Sequence, residues 1–119
     1  MQHSPGFVAI VETVLDRVTH VSIAQYQEND AWQLLDVRED HEWLLGHLPQ
    51  AKHLGRGIIE RDIEKRFPDK EQALLLYCGG GYRSSLAAYN LQLMGYTNVG
   101  SLTGGYSAWV QQQLPIVQD

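Results

Sequence analysis

The sequence predicts an α/β fold built on an open parallel sheet of about five short strands with helices on both faces. Three observations carry this. Leu74-Leu75-Leu76-Tyr77 is an unbroken apolar run, the pattern of a central strand covered on both sides. Short apolar runs alternate with segments of helical spacing along the chain, as crossovers between parallel neighbours require. At 119 residues, 44% hydrophobic and 19% charged, the chain suits one domain with one modest core.

Each element has its own reason. Ser4 and Pro5 are start signals, and Phe7, Ile10, Val11, Val14, Leu15 and Val18 follow at helical spacing, predicting a helix from Pro5 to Val18. Thr19 to Ser22 reads as a short strand and Ile23 to Asn29 as a short helix. Trp32 to Val37 reads as a buried strand, and Asp40 to Leu45 as a helix stopped by Gly46. Ala51 to Leu54 is a short strand after the turn at Pro49. Ile59, Ile63 and Phe67 mark a helix from Ile58 to Phe67, broken by Pro68. Ala73 to Tyr77 is the central strand. The next helix runs from Arg83 to Met94, with Ser84 as its N-cap and Gly95 as its terminal glycine. Asn98 to Leu102 is the last strand, and Tyr106 to Gln113 the last helix, ended by Pro115.

Composition narrows the function. A net charge of -5, without a basic stripe interleaved with aromatics, argues against nucleic acid. No apolar run reaches the length that spans a bilayer, so no membrane association is expected. The N-terminus lacks a positive region followed by an apolar one, so no secretory signal is read there. A single cysteine excludes an internal disulfide, a C-x-x-C redox pair and a thiolate zinc site. A cytoplasmic, reducing location is the expectation, with no metal and no organic cofactor. Any chemistry at that cysteine must pass to an acceptor outside the chain.

The cysteine is Cys78. It closes the central apolar strand and opens Gly79-Gly80-Gly81-Tyr82-Arg83-Ser84 at a strand-to-helix junction. Ligands in open parallel sheets bind beyond the carboxyl ends of strands. Three glycines allow consecutive N–H groups to turn toward the sulfur. The helix N-terminus adds a partial positive charge, and Arg83 a full one. All three favour thiolate over thiol, and the same cradle suits an oxyanion. A buried cysteine in a purely structural glycine turn is the plainer alternative. Gly81, Arg83 and Ser84, between a buried strand and a buried helix, weigh against it.

That loop resembles the active-site loop of rhodanese-type sulfurtransferases, in which a cysteine opens a six-residue glycine-rich loop, here Cys78 through Arg83. Two further segments resemble the family. One is Leu34-Leu35-Asp36-Val37-Arg38-Glu39 with Glu42, Gly46-His47 and Pro49-Gln50-Ala51; the other is Leu102-Thr103-Gly104-Gly105-Tyr106-Ser107-Ala108-Trp109. Leu48 and Gln50 depart from the family's isoleucine and glycine, in a turn away from the cysteine. The resemblance implies a rhodanese-like domain over residues 18–119 and a helical extension over 1–17. It also implies sulfur transfer through a Cys78 persulfide, from a small anionic donor such as thiosulfate to a thiol, cyanide or a cysteine-bearing protein.

Other residues are weighed against this reading. Asp36 and Arg38 flank Val37, so they share a face; a structural ion pair supporting the loop is the favoured role, with Glu42 and His47 joining that network. Arg56, in a locally basic stretch with Lys52, His53 and Arg61, is a candidate to draw in anions, although Glu60, Asp62 and Glu64 interleave with it. Tyr82 stands at the loop's mouth, and Gly104, Gly105 and Trp109 read as a tight turn and a core anchor. Two alternatives to sulfur transfer stay open: a non-enzymatic interaction module on the same fold, and a small cysteine-dependent phosphatase. Such phosphatases resemble Cys-x5-Arg, whereas Arg83 follows Cys78 after four residues, a loop one residue short for phosphate. Oligomeric state and the physiological donor and acceptor are open at this point.

Overall fold

A computed structural model describes residues 3–119. Among them the chain runs through α1 (Pro5–Leu15), β1 (Thr19–Val21), α2 (Ile23–Gln27), β2 (Gln33–Asp36), α3 (Asp40–Leu45) and β3 (Lys52–His53). It continues through α4 (Ile59–Arg66), β4 (Leu74–Tyr77), α5 (Tyr82–Leu93), β5 (Val99–Leu102) and α6 (Gly105–Gln111). The strands form one parallel sheet in the order β1-β5-β4-β2-β3. β4 is central. The chain leaves β4 toward β5 on one side after having arrived from β2 and β3 on the other. The carboxyl end of β4 is therefore a switch point, where neighbouring connections diverge and leave a crevice.

The apolar run of β4 has the predicted cause. Leu74, Leu76 and Cys78 face one core, with Val11 and Val14 of α1, Ile59 and Ile63 of α4, and Leu86 and Leu91 of α5. Leu75 and Tyr77 face the other, with Ile23 of α2 and Trp109 of α6. Alternation along the strand thus sends successive side chains into two dry layers, each buried leucine contributing about 1.5–3 kcal/mol.

Boundaries shift where tertiary contacts override local spacing. α1 stops at Leu15, although Val18 continues its apolar stripe and is buried from the following turn. α1 packs on α5 and is part of the same globule. The β3 pairing shrinks to two residues. At α5, Ser84 is not the N-cap. Gly81 takes that position at φ +111°, a left-handed turn that glycine reaches without a steric penalty. Ser84 is carried into the first helical turn and buried.

Candidate active site

β4 delivers Cys78 to the floor of a crevice, and α5 begins four residues later. The helix starts at Tyr82, so the last part of the predicted loop is its first turn. Two amides aim at the sulfur: Gly81 N–H donates to Cys78 Sγ at 3.0 Å and Ser84 N–H at 3.4 Å. Of the consecutive amides expected to turn toward the sulfur, those of Gly81 and Ser84 alone reach Sγ among the described residues. The sulfur occupies the place of a capping oxygen, accepting amides that the first turn of a helix leaves unpaired. The α5 dipole points the same way.

Behind the sulfur lies a hydroxyl relay. The Ser84 hydroxyl is 3.5 Å from Sγ and 2.8 Å from that of Ser101 on β5. Ser85 donates to the Gly81 carbonyl at 2.7 Å, which fixes the turn that presents the Gly81 amide. This explains the inward Ser84. Its hydroxyl serves the sulfur and the sheet, while glycine makes the turn.

The loop is also clamped from the far side. Tyr106 N–H donates to the Cys78 carbonyl at 2.8 Å and Ser107 N–H to the Gly79 carbonyl at 2.9 Å. Those bonds bring α6 so close that a Cβ on Gly105 would overlap the Cys78 carbonyl. Gly104 and Gly105, both left-handed, make the approach possible.

Cys78 is 1% exposed, yet it lines an open cavity of about 420 Å³. His3, Phe7, Arg38, Glu42, Gly79, Gly80, Tyr82, Arg83, Tyr106 and Ser107 complete the walls. Arg83 lies over Gly79 and forms a two-pronged pair with Glu42, at 2.8 and 3.2 Å. The Arg83 hydrogen bonds hold the Glu42 carboxyl down to about 2. Arg38 pairs with Asp36 at 2.8 Å and donates to the Gly46 carbonyl. Burial works against the Arg38 charge, but the Asp36 contacts outweigh it and its pKa is raised. Tyr77 donates to Asp36 at 2.6 Å, and burial, reinforced by that carboxylate, pushes its phenol well above the usual range.

The sequence-predicted residues thus divide. Gly79, Gly80, Tyr82 and Arg83 meet Cys78 at the cavity, as do Arg38 and Glu42; Gly81 and Ser84 grip the sulfur from below. Asp36 stands behind Arg38. Glu42 joins Arg83 rather than the Asp36–Arg38 pair. His47 is buried away from the cavity, stacked on Trp43 at 3.5 Å and bonded to the Leu48 carbonyl and the Asp119 carboxylate. Arg56 lines an adjoining cleft with Glu39, Gly57, Glu60 and Arg83. Sequence reasoning missed His3, Phe7, Tyr106 and Ser107. Tyr106 and Ser107 carried a signal, the glycine pair before them; His3 and Phe7 read only as a helix start. Among the described residues no group of three or more His, Cys, Asp or Glu is placed to hold a metal ion. No described helix is long and apolar enough to cross a membrane.

Comparison with known proteins agrees with this geometry. The family model of the rhodanese-like domain matches residues 19–112. The chain is similar to thiosulfate sulfurtransferase GlpE of Coxiella burnetii, 32% identical over 93 residues, 71% of this chain and 85% of that protein. It resembles the solved polysulfide-sulfur transferase homodimer of Wolinella succinogenes, with a TM-score of 0.78 at 26% identity over 96% of this chain and 88% of the other. It also resembles a Rhodopseudomonas palustris protein of unknown function described as a possible tyrosine phosphatase, with a TM-score of 0.82 at 26% identity over 98% of both chains. Matched along most of its length and built on the same five-stranded parallel sheet, the chain belongs to the rhodanese-like domain family.

Proposed function

We propose that this chain is a single-domain sulfurtransferase. It moves a sulfane sulfur from a small anionic donor such as thiosulfate, through a persulfide on Cys78, to a thiol, cyanide or a cysteine-bearing protein. One observation carries the reading: Sγ of Cys78 sits on the floor of an open cavity and accepts two amide hydrogen bonds from the start of α5. Donors fixed in advance around a sulfur stabilise negative charge there without reorganisation.

In the first step the Cys78 thiolate attacks the outer sulfur of thiosulfate. A new S–S bond forms, the bond to the sulfonate sulfur breaks, and sulfite leaves with the electron pair. In the second step an acceptor thiolate or cyanide attacks the outer sulfur of the persulfide and returns the Cys78 thiolate. The cycle is covalent and ping-pong. Gly79 to Ser84 hold the donor and the persulfide, Arg38 and Arg83 face the sulfonyl oxygens, and Arg56 draws anions to the neighbouring cleft. Asp36 supports Arg38 and Glu42 supports Arg83, whereas the His47 side chain stands apart from that network, against Trp43 and Asp119. A compartment that keeps Cys78 reduced, such as the cytoplasm, suits this chemistry.

The test is intact mass spectrometry after incubation with thiosulfate. The expected result is a gain of one sulfur atom, lost in Cys78→Ser and discharged by cyanide. Release of phosphate from an aryl phosphate without sulfur uptake would replace this reading with a phosphatase. Neither event would leave an interaction module.

A further inference from the structure

One wall of the cavity comes from outside the family-matched stretch. His3 and Phe7 line it, and both precede residue 19, where the match begins. Their rings gather on Tyr82, with centroids 4.6 Å (His3) and 5.9 Å (Phe7) from it and 5.4 Å from each other. Tyr106 is a fourth ring in the lining. α1 is anchored on α5 through Val11 and Val14, 1% and 6% exposed, so Phe7 projects from a fixed helix with His3 just before it.

The charges in the cavity do not choose between sulfur donors. Both guanidiniums that line it are already paired, Arg38 with Asp36 and Arg83 with Glu42, each at 2.8 Å. Paired guanidiniums still present N–H groups to the sulfonyl oxygens that inorganic and organic donors both carry, so they do not single out the inorganic dianion, whereas aromatic rings reward a flat apolar group. A cavity of about 420 Å³ has room for an organic group beside the sulfur-bearing head.

We infer that His3 and Phe7 make this site selective for an organic sulfane-sulfur donor of the type R–SO2–S⁻, with R aromatic or otherwise flat and apolar, over inorganic thiosulfate. The inference rests on the sulfur-transfer reading. The step balances without a co-reactant: the Cys78 thiolate bonds to the outer sulfur, the S–S bond to the sulfonyl breaks, and R–SO2⁻ leaves with the pair. R lies against Phe7, Tyr82 and His3.

The experiment compares kcat/KM for benzenethiosulfonate and thiosulfate, with cyanide as acceptor, in the natural chain and in Phe7→Ala, His3→Ala and Ile10→Ala. Phe7→Ala is expected to lower the aromatic-to-inorganic ratio about fivefold, the order of one aromatic contact, and His3→Ala to lower it less. Ile10→Ala, exposed on the same helix and outside the cavity, is expected to leave the ratio alone. A ratio unmoved by both Phe7→Ala and His3→Ala overturns the inference. Failure of the sulfur-transfer reading looks different, since Cys78 then gains sulfur from neither donor. In that case calorimetric titration of Cys78→Ser with benzenesulfonate and sulfate decides. Tighter aryl binding that weakens in Cys78→Ser/Phe7→Ala supports the aromatic wall, and equal binding of the two anions sinks it.

Discussion

Replacing Gly105 with alanine puts the clamp between α6 and the cysteine loop under direct strain. Gly105 has φ +53°, and a left-handed alanine costs roughly 1–2 kcal/mol. The added Cβ would overlap the Cys78 carbonyl and lie 3.1 Å from the Gly79 oxygen. Both obstacles are backbone, which cannot swing aside as a side chain does. Relief requires α6 to separate from the loop, weakening the Tyr106 and Ser107 hydrogen bonds, worth about 0.5–1.5 kcal/mol each. The sum is about 2–5 kcal/mol, or a melting temperature lower by roughly 8–20 °C for a domain of this size. The displaced loop should also slow sulfur uptake by at least about tenfold, because misplaced reacting atoms lose much of the benefit of positioning. Thermal unfolding followed by circular dichroism, with rapid-quench mass spectrometry of persulfide formation, measures both. Gly57→Ala is the stability control, since nothing lies within 4 Å of its added Cβ. A Gly105→Ala protein that melts with the natural chain and loads sulfur at the same rate would refute the clamp.

Three further expectations follow from the same geometry. Ser84→Ala removes the hydroxyl between Sγ and Ser101 and should slow persulfide formation about tenfold, as for a lost hydrogen bond to a charged group; an unchanged stopped-flow rate speaks against the relay. Tyr77→Phe strips an acceptor from the buried Leu48 N–H, 3.1 Å away, and a donor from Asp36, and should cost about 1–3 kcal/mol in urea unfolding; a loss below about 0.5 kcal/mol would show that neither group needs the phenol. Glu42, held down to about 2 by Arg83, titrates near ~4.3 when unfolded. Between these values the unfolded chain binds more protons, so the stabilisation is full above about pH 5 and disappears as pH falls to 2. The gap in unfolding free energy between the natural chain and Glu42→Gln, read from urea unfolding at each pH, should follow that course and stay below about 1 kcal/mol, because solvent screens the pair. A gap that is constant with pH would contradict the assignment.

The fold was readable because the strands are short and strongly marked. Leu74 to Tyr77 announced a strand covered on both faces, and every predicted element formed within a few residues of its expected place. Much of the site was readable too, since Cys78 and the glycines after it are adjacent in sequence. Local capping preference favours Ser84 at the helix start, and Gly81 takes that position because the turn under the sulfur needs a positive φ. Glu42 reads from sequence as part of the Asp36–Arg38 network, while its hydrogen-bond partner is Arg83, 41 positions away, at a distance that only tertiary packing sets. The same holds for His3 and Phe7. Their spacing announces a helix, and nothing in spacing tells which face of the sheet that helix will cover.

The depth of Cys78 has a consequence for traffic through the cavity. On the sulfur-transfer reading, with the thiol only 1% exposed, an added sulfur stands about 2 Å nearer the mouth. The atom handed on then stands above the one that anchors it, and an acceptor need only touch the guest. A bulky alkylating reagent that fails to descend to the bare thiol would still label the loaded protein. The buried sulfur acts as a pedestal, open to a slim donor descending the cavity and closed to a bulky reagent.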